Sequence, residues 1–323
     1  METIKFLVLL LTTSYHFFAT LKDNKKFQPP GQLIDIGGCK LHLYSQGEGD
    51  ITVIVDHSLG GIDGYFLIEK IAKITKVCIY DRPGYGWSEP SKNQRSSQAI
   101  ALELDLLLEK AKIEPPYILV GQSFGSYNVR VYANYFPEKV VGMILTDGLH
   151  EKEMLKMPVL LKGLKLFFMS GFIMSAIGSL LGIVRILGNL GLFEFLKPEL
   201  RKYPPQTLFK VKRSFYSHNH WITMWREMNN LELSAKQVSQ ANDFGNLPII
   251  NIKASTFLKS GPSNFYMPLK EVDRLRDRMH EELLKLSSNC TQIPADRSDH
   301  FVWVDRPEIV ISAIETLLLS IRP

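Results

Sequence analysis

The pentapeptide Gly121-Gln122-Ser123-Phe124-Gly125 follows the apolar run Tyr117-Ile118-Leu119-Val120 and precedes a helix-like stretch from Tyr127 to Tyr135. A serine at so abrupt a strand-to-helix turn needs glycine two positions away on either side, because a Cβ there would collide with the adjoining strand or helix. Both positions are glycine. Such a turn presents the hydroxyl at the carboxyl edge of a sheet and aims the first helix amides toward it, a setting that favours developing negative charge. Ser123 is therefore a candidate nucleophile.

Reading outward, strands and helices alternate. Gln32 to Ile36 and Lys40 to Tyr44 alternate in polarity around Gly37-Gly38 and read as a hairpin at an antiparallel edge. Thr52 to Val55 and Val77 to Tyr80 are short β-branched runs separated by a helical stretch near Tyr65 to Ile74, and a helix over Ala99 to Ala111 leads to the Tyr117 strand. A strand over Val140 to Leu145 follows. After a break come a strand over Pro248 to Ile252, a charged helix over Leu269 to Leu286, a short strand near Thr291 to Ile293 and a closing helix over Pro307 to Ile321. This order predicts an α/β fold with a mostly parallel sheet. Residues 29–150 and 247–323 form its core, 151–246 a helical lid insertion, and 1–28 an N-terminal hydrophobic anchor or signal with a linker.

Phe6 to Leu21 carries no charge apart from His16 and is followed by Lys22, Lys25 and Lys26, the pattern of a membrane-targeting segment. A single uncleaved anchor is the preferred reading, since the small-x-small cleavage pattern is poor. Signal cleavage, leaving a secreted or periplasmic protein, is the alternative. Leu166 to Val184 is also uncharged. A second membrane-spanning helix there would divide the sheet between two compartments, so a lid whose inner face lines an acyl or aromatic pocket is preferred. The formal charge of +5 over 323 residues, with cations and anions interleaved, excludes nucleic acid as the implied partner. Cys39, Cys78 and Cys290 are widely spaced and odd in number, and read as small hydrophobes. No metal or cofactor is expected.

A serine hydroxyl needs a base within hydrogen-bond reach and a carboxylate to orient that base. His300, in a loop after the last strand, is the candidate base, and the order serine, acid, histidine suits this architecture. After the Pro248 strand, the loop Ala254 to Leu269 holds no carboxylate, whereas Asp147 ends the strand that follows the nucleophile's helix. Asp147 is therefore the expected acid. The amides of Phe124 and Leu59, the latter in His57-Ser58-Leu59-Gly60-Gly61, are the expected oxyanion donors.

Three segments together make the chain resemble the α/β-hydrolase-fold serine hydrolases: Tyr80-Asp81-Arg82-Pro83-Gly84-Tyr85-Gly86-Trp87-Ser88, the elbow Gly121 to Gly125, and His300-Phe301 with Asp305-Arg306-Pro307-Glu308. The likeness covers nearly everything after Pro29 and is strongest to a bacterial-type subgroup with an N-terminal hydrophobic segment and an acid on strand six, which supports Asp147 by analogy. Two positions depart from the family pattern: His57-Ser58 stands where His-Gly is frequent, and Ser298-Asp299-His300 where Ser-Gly-His is usual. The resemblance implies hydrolysis of an ester, thioester or amide, whereas epoxide hydrolases and dehalogenases of this fold carry aspartate at the nucleophile position. An apolar small-molecule acyl substrate, as for a carboxylesterase or lipase, is the first expectation. The alternatives are an aminopeptidase-like hydrolase using Glu227 or Glu232 to bind an ammonium, a lipid acyltransferase using His300-x4-Asp305, and a catalytically silent ligand-binding homologue.

Overall fold

The computed structural model describes residues 2–61, 63–259, 261 and 267–321, so part of the loop between Ala254 and Leu269 lies outside the described residues. Its strands are β1 (Gln32–Asp35), β2 (Lys40–Gln46), β3 (Thr52–Asp56), β4 (Lys76–Tyr80), β5 (Tyr117–Gln122), β6 (Val140–Thr146), β7 (Ile249–Ala254) and β8 (Cys290–Ala295). They form one sheet in the order β1-β2-β4-β3-β5-β6-β7-β8. β2 runs antiparallel to β1 and β4, and β4, β3, β5, β6, β7 and β8 run parallel to one another.

The helices before β6 are α1 (Glu2–Lys26), α2 (Ile68–Ile71), α3 (Ser97–Lys110) and α4 (Gly125–Tyr135). Between β6 and β7 come α5 (Glu151–Leu155), α6 (Val159–Leu180), α7 (Ile183–Asn189), α8 (Leu192–Leu196), α9 (Pro205–Tyr216), α10 (His218–Asn229) and α11 (Leu231–Val238), with no strand among them. α12 (Leu269–Leu283), α13 (Val302–Asp305) and α14 (Pro307–Ile321) complete the chain.

The central strands are apolar on both faces because each is covered on both. Val53, Val55, Ile118 and Val120 point into a core shared with Val310, Ile314 and Leu317 of α14. Ile54 and Leu119, one residue out of phase, join Leu104 and Leu107 of α3 and Tyr132 of α4 in the other core. The stretch Tyr65 to Ile74 is less helical than its composition predicts. It forms a single 3-10 turn at Asp63–Phe66 and the four-residue α2. Tyr65, Leu67, Ile68 and Ile71 are all buried, and Thr75 Oγ1 donates to Ile51 O (2.6 Å), turning the chain into β4 after too few residues for a longer helix.

A buried ion-pair network joins the segment between β6 and β7 to the sheet. Arg82, after β4, is 1% exposed and forks onto Glu227 of α10, with Nε to Oε1 and Nη2 to Oε2 both at 2.9 Å. Its Nη1 also donates to Asp56 Oδ1 (2.6 Å) at the end of β3, and Tyr85 Oη donates to Glu227 Oε2 (2.8 Å). Removing one partner of such a buried pair leaves the other charge uncompensated. Glu227→Ala is therefore expected to lower folding stability by about 3–5 kcal/mol in denaturant titration, and a loss below about 1 kcal/mol would contradict this role for Arg82.

Candidate active site

β5 ends at Gln122, and Ser123 follows in the left-handed region at φ 51°, a conformation that costs a non-glycine residue energy and recurs at functional sites. Ser123 N donates to Thr146 O (3.0 Å) of the neighbouring β6, and Ser126 Oγ donates back to Ser123 O (2.5 Å), so the turn is fixed from both sides. The two glycines are required by contact. A Cβ on Gly121 would lie 2.6 Å from Gly125 O, and one on Gly125 would lie 2.5 Å from Asp56 O and 2.7 Å from His57 O.

Asp147 follows β6 at φ 45° and is 2% exposed. Its Oδ2 accepts from Nδ1 of His300. A carboxylate only accepts, so Nδ1 carries the proton and Nε2 is left with a lone pair, the tautomer that a general base needs. Asp147 also accepts from the amide of Ala254 (3.2 Å), from Arg276 Nε (3.1 Å) and Nη2, and from His280 Nε2 (3.1 Å). Burial alone would raise its pKa. The hydrogen bonds from His280 and His300 and the Arg276 charge outweigh that and hold the carboxyl well below the usual carboxylate range. The bond to Ala254 places this carboxylate against the end of β7, the strand whose own following loop has none.

The His300 loop is tied to the elbow by Gln122, whose Nε2 donates to His300 O (2.8 Å), while His300 N donates to Phe257 O (3.0 Å) and the Phe257 ring lies 4.9 Å from the imidazole. Trp303 Nε1 donates to Thr146 Oγ1 (3.1 Å), anchoring α13 beside the end of β6. Ser123 and His300 both stand at the carboxyl edge, and the Ser123 hydroxyl makes no hydrogen bond to His300 here. In free enzymes such bonds are often long and tighten with substrate. The amides of Phe124 and Leu59 donate to no other described residue. Arg82 Nη1 and Nη2 hold the carbonyls of His57 (2.7 Å) and Ser58 (2.9 Å), which sets the orientation of the peptides leading to Leu59.

Other expected participants are engaged elsewhere. Asp299 accepts from the amide of Phe301 (3.0 Å) in a local turn. Asp305 is paired with Lys202 and Lys259. Glu227 is consumed by Arg82 and Tyr85, and the exposed Glu232 pairs with Lys236 one turn on (2.9 Å), so neither carboxylate is placed to receive a substrate ammonium. Gln122, Arg276 and His280 were not singled out by sequence. Arg276 and His280 are four residues apart on one face of α12, and that spacing was the available signal.

A family model described as alpha/beta hydrolase fold matches residues 52–172. Uncharacterized protein YbdG of Bacillus subtilis (strain 168) is 29% identical over 148 residues, 44% of this chain and 46% of that protein, so the match spans less than half of it. Uncharacterized protein YqjL of the same organism is 23% identical over 86% of this chain and 88% of its own length. Among solved structures, epoxide hydrolase CorEH superposes with TM-score 0.62 at 15% identity, covering 90% of this chain and 98% of that one. The enol-lactonase from Burkholderia xenovorans LB400 superposes with TM-score 0.58 at 15% identity, covering 87% and 97%. The chain has the α/β-hydrolase fold, and residues 52–172 match the model of that fold family.

Two outcomes test the local account. Gly125→Ala is expected to cost about 1–3 kcal/mol of stability in thermal or denaturant unfolding, because the atoms it meets are backbone and cannot rotate away. Because the folded chain lowers the Asp147 pKa, its contribution to stability is complete above the ordinary carboxylate pKa of about 3.9 and is lost as pH falls below that value. Asp147→Asn should therefore make stability fall less steeply between about pH 4 and pH 2 than in the parent, and an unchanged slope would contradict the assignment.

Proposed function

We propose that the protein is a serine hydrolase that cleaves an ester, thioester or amide of an apolar substrate through an acyl-enzyme on Ser123. The observation that carries this reading is the imidazole of His300, fixed by Asp147 in the tautomer with a free Nε2 and joined through Gln122 to the elbow that bears Ser123. The residue type at the elbow distinguishes it from an epoxide hydrolase, despite the shared fold: serine yields an acyl ester.

In the first half-reaction Nε2 of His300 takes the Ser123 proton as Oγ bonds the substrate carbonyl carbon, and the carbonyl oxygen becomes an oxyanion facing the Phe124 and Leu59 amides. Collapse breaks the bond to the leaving group, which departs with the proton held on His300. In the second, His300 removes a proton from water, the resulting hydroxide attacks the acyl carbon, and Ser123 leaves with that proton restored. Asp147 stabilises the imidazolium formed in each half. The segment 151–246 serves as a lid over this edge, and α1 holds the enzyme at a membrane, as its apolar run from Phe6 to Leu21 and the lysines that follow suit.

Turnover of p-nitrophenyl esters of increasing acyl length tests the reading. Ser123→Ala and His300→Ala are expected to abolish measurable turnover, and Asp147→Asn to reduce kcat by about 10⁴ through loss of the productive tautomer. Wild-type turnover in Asp147→Asn, with loss of activity on changing Asp299 or Glu271 instead, would remove Asp147 from the site.

A further inference from the structure

The residues of α1 and α6 that touch the body of the protein define where a membrane can reach it. We propose that the chain seats on a lipid bilayer from one side only, with Phe6 to Leu11 of α1 and the outward face of α6 embedded in the same leaflet, Glu2 to Lys5 at the near headgroups and no segment crossing. The proposal rests on the reading of α1 as a membrane segment and is independent of the chemistry at Ser123.

The carboxyl half of α1 is bound to the helices between β6 and β7. Arg185 of α7, 5% exposed, donates Nε to His16 Nδ1 (3.1 Å), Nη1 to Asp23 Oδ2 (2.6 Å) and Nη2 to Thr20 Oγ1 (2.9 Å). Asn189 bonds Tyr15 Oη (3.1 Å), Arg213 bonds Asn24 (2.9 Å), and the Phe27 and Phe209 rings lie 3.9 Å apart. At Gly182, φ +77°, a Cβ would sit 2.2 Å from Thr12 O, so α1 passes directly over the turn that ends α6. These contacts dock one face of α1 from Thr12 onward, while Phe17, Phe18 and Leu21 on its other side stay exposed. The remainder, Glu2 to Leu11, is a helix of about 15 Å, whereas the hydrocarbon core of a bilayer is about 30 Å thick. That length cannot carry the charged Glu2 and Lys5 to the far headgroups while the rest of the helix stays docked.

α6 ends at this contact with α1 and carries an apolar face of its own. Leu161, Ala176 and Ser179 are buried and the helix packs along α10, so it cannot leave the domain to span a membrane. Its opposite face exposes Leu166, Phe167, Met174, Ile177 and Leu180 to 48–67% with no charged residue among them. A helix docked on one side and equally apolar on the other is suited to hydrocarbon, not water. The exposed Lys162 at its start and Lys22, Lys25 and Lys26 at the end of α1 supply cations suited to anionic headgroups.

The test adds full-length protein from detergent to preformed sealed vesicles of phosphatidylcholine and phosphatidylglycerol, so that the catalytic domain stays outside. Thr3→Cys in a Cys290→Ser background is expected to react with a membrane-impermeant maleimide without permeabilisation, and a photoactivated carbene on lipid tails is expected to label both Phe6–Leu11 and Leu166–Leu180. Reaction at position 3 only after permeabilisation would show a crossing anchor and overturn the proposal. Labelling of α1 with none on α6 would overturn the shared seat while leaving α1 as an anchor, and labelling of neither would remove both. Crosslinking of α6 to α6 without lipid adducts would assign the face to a second copy and overturn it equally. Arg185→Ala should speed trypsin cleavage after Lys22, Lys25 and Lys26, which are exposed but held in a docked helix, and an unchanged cleavage rate would contradict the clamp.

Discussion

The carboxylate of Asp147 is the point on which the candidate site depends. It lies in a buried pocket where an isolated charge is strongly disfavoured, yet it is ionised because a guanidinium, two imidazoles and a backbone amide converge on it. Those donors come from β7, α12 and the loop after β8, so one residue at the end of β6 ties together four parts of the chain that are up to 153 positions apart. Its left-handed backbone, like that of Ser123, is strained in isolation and persists because its surroundings dictate it. Removing the carboxylate would free His300 and leave the Arg276 charge, which is 6% exposed, with Asp273 as its remaining carboxylate partner (3.0 Å).

Arg82 plays the corresponding part on the other side of the elbow. It binds Asp56 at the end of β3, the carbonyls of His57 and Ser58, and Glu227 of α10. The peptides leading to Leu59 and the helical segment over the sheet are thus registered against one guanidinium, whose planar fork is suited to two acceptors at once. Glu227 of α10 and the loop expected to bind an oxyanion therefore share one guanidinium.

Much of this was legible in the sequence because short periods and glycines are local signals. The alternating runs gave the strands within a residue or two, and the paired glycines at 121 and 125 located the elbow by steric need alone. Asp147 was reached by exclusion, since no carboxylate followed β7, and its side chain does lie beside His300. What escaped notice depends on long-range packing. α12 read only as a charged helix, and only its packing against β7 turns Arg276 and His280 inward. Glu227 read as a free lid carboxylate because nothing local marks its partner 145 residues earlier as buried. The helix expected over Tyr65 to Ile74 shortened because four apolar side chains had to reach one core before β4 began. The departures at Ser58 and Asp299 left no defect in the local hydrogen bonding. Ser58 O is held by Arg82, and Asp299 closes the turn into α13.

The central claim is that Ser123 is a nucleophile activated by a histidine that Asp147 holds in place. Mapping the adduct of a fluorophosphonate by peptide mass spectrometry tests it most directly. The account predicts one phosphonyl group per chain, on Ser123, absent in Ser123→Ala and formed far more slowly in Asp147→Asn. A folded protein that takes up no phosphonyl group, or takes it up at another residue, would contradict it.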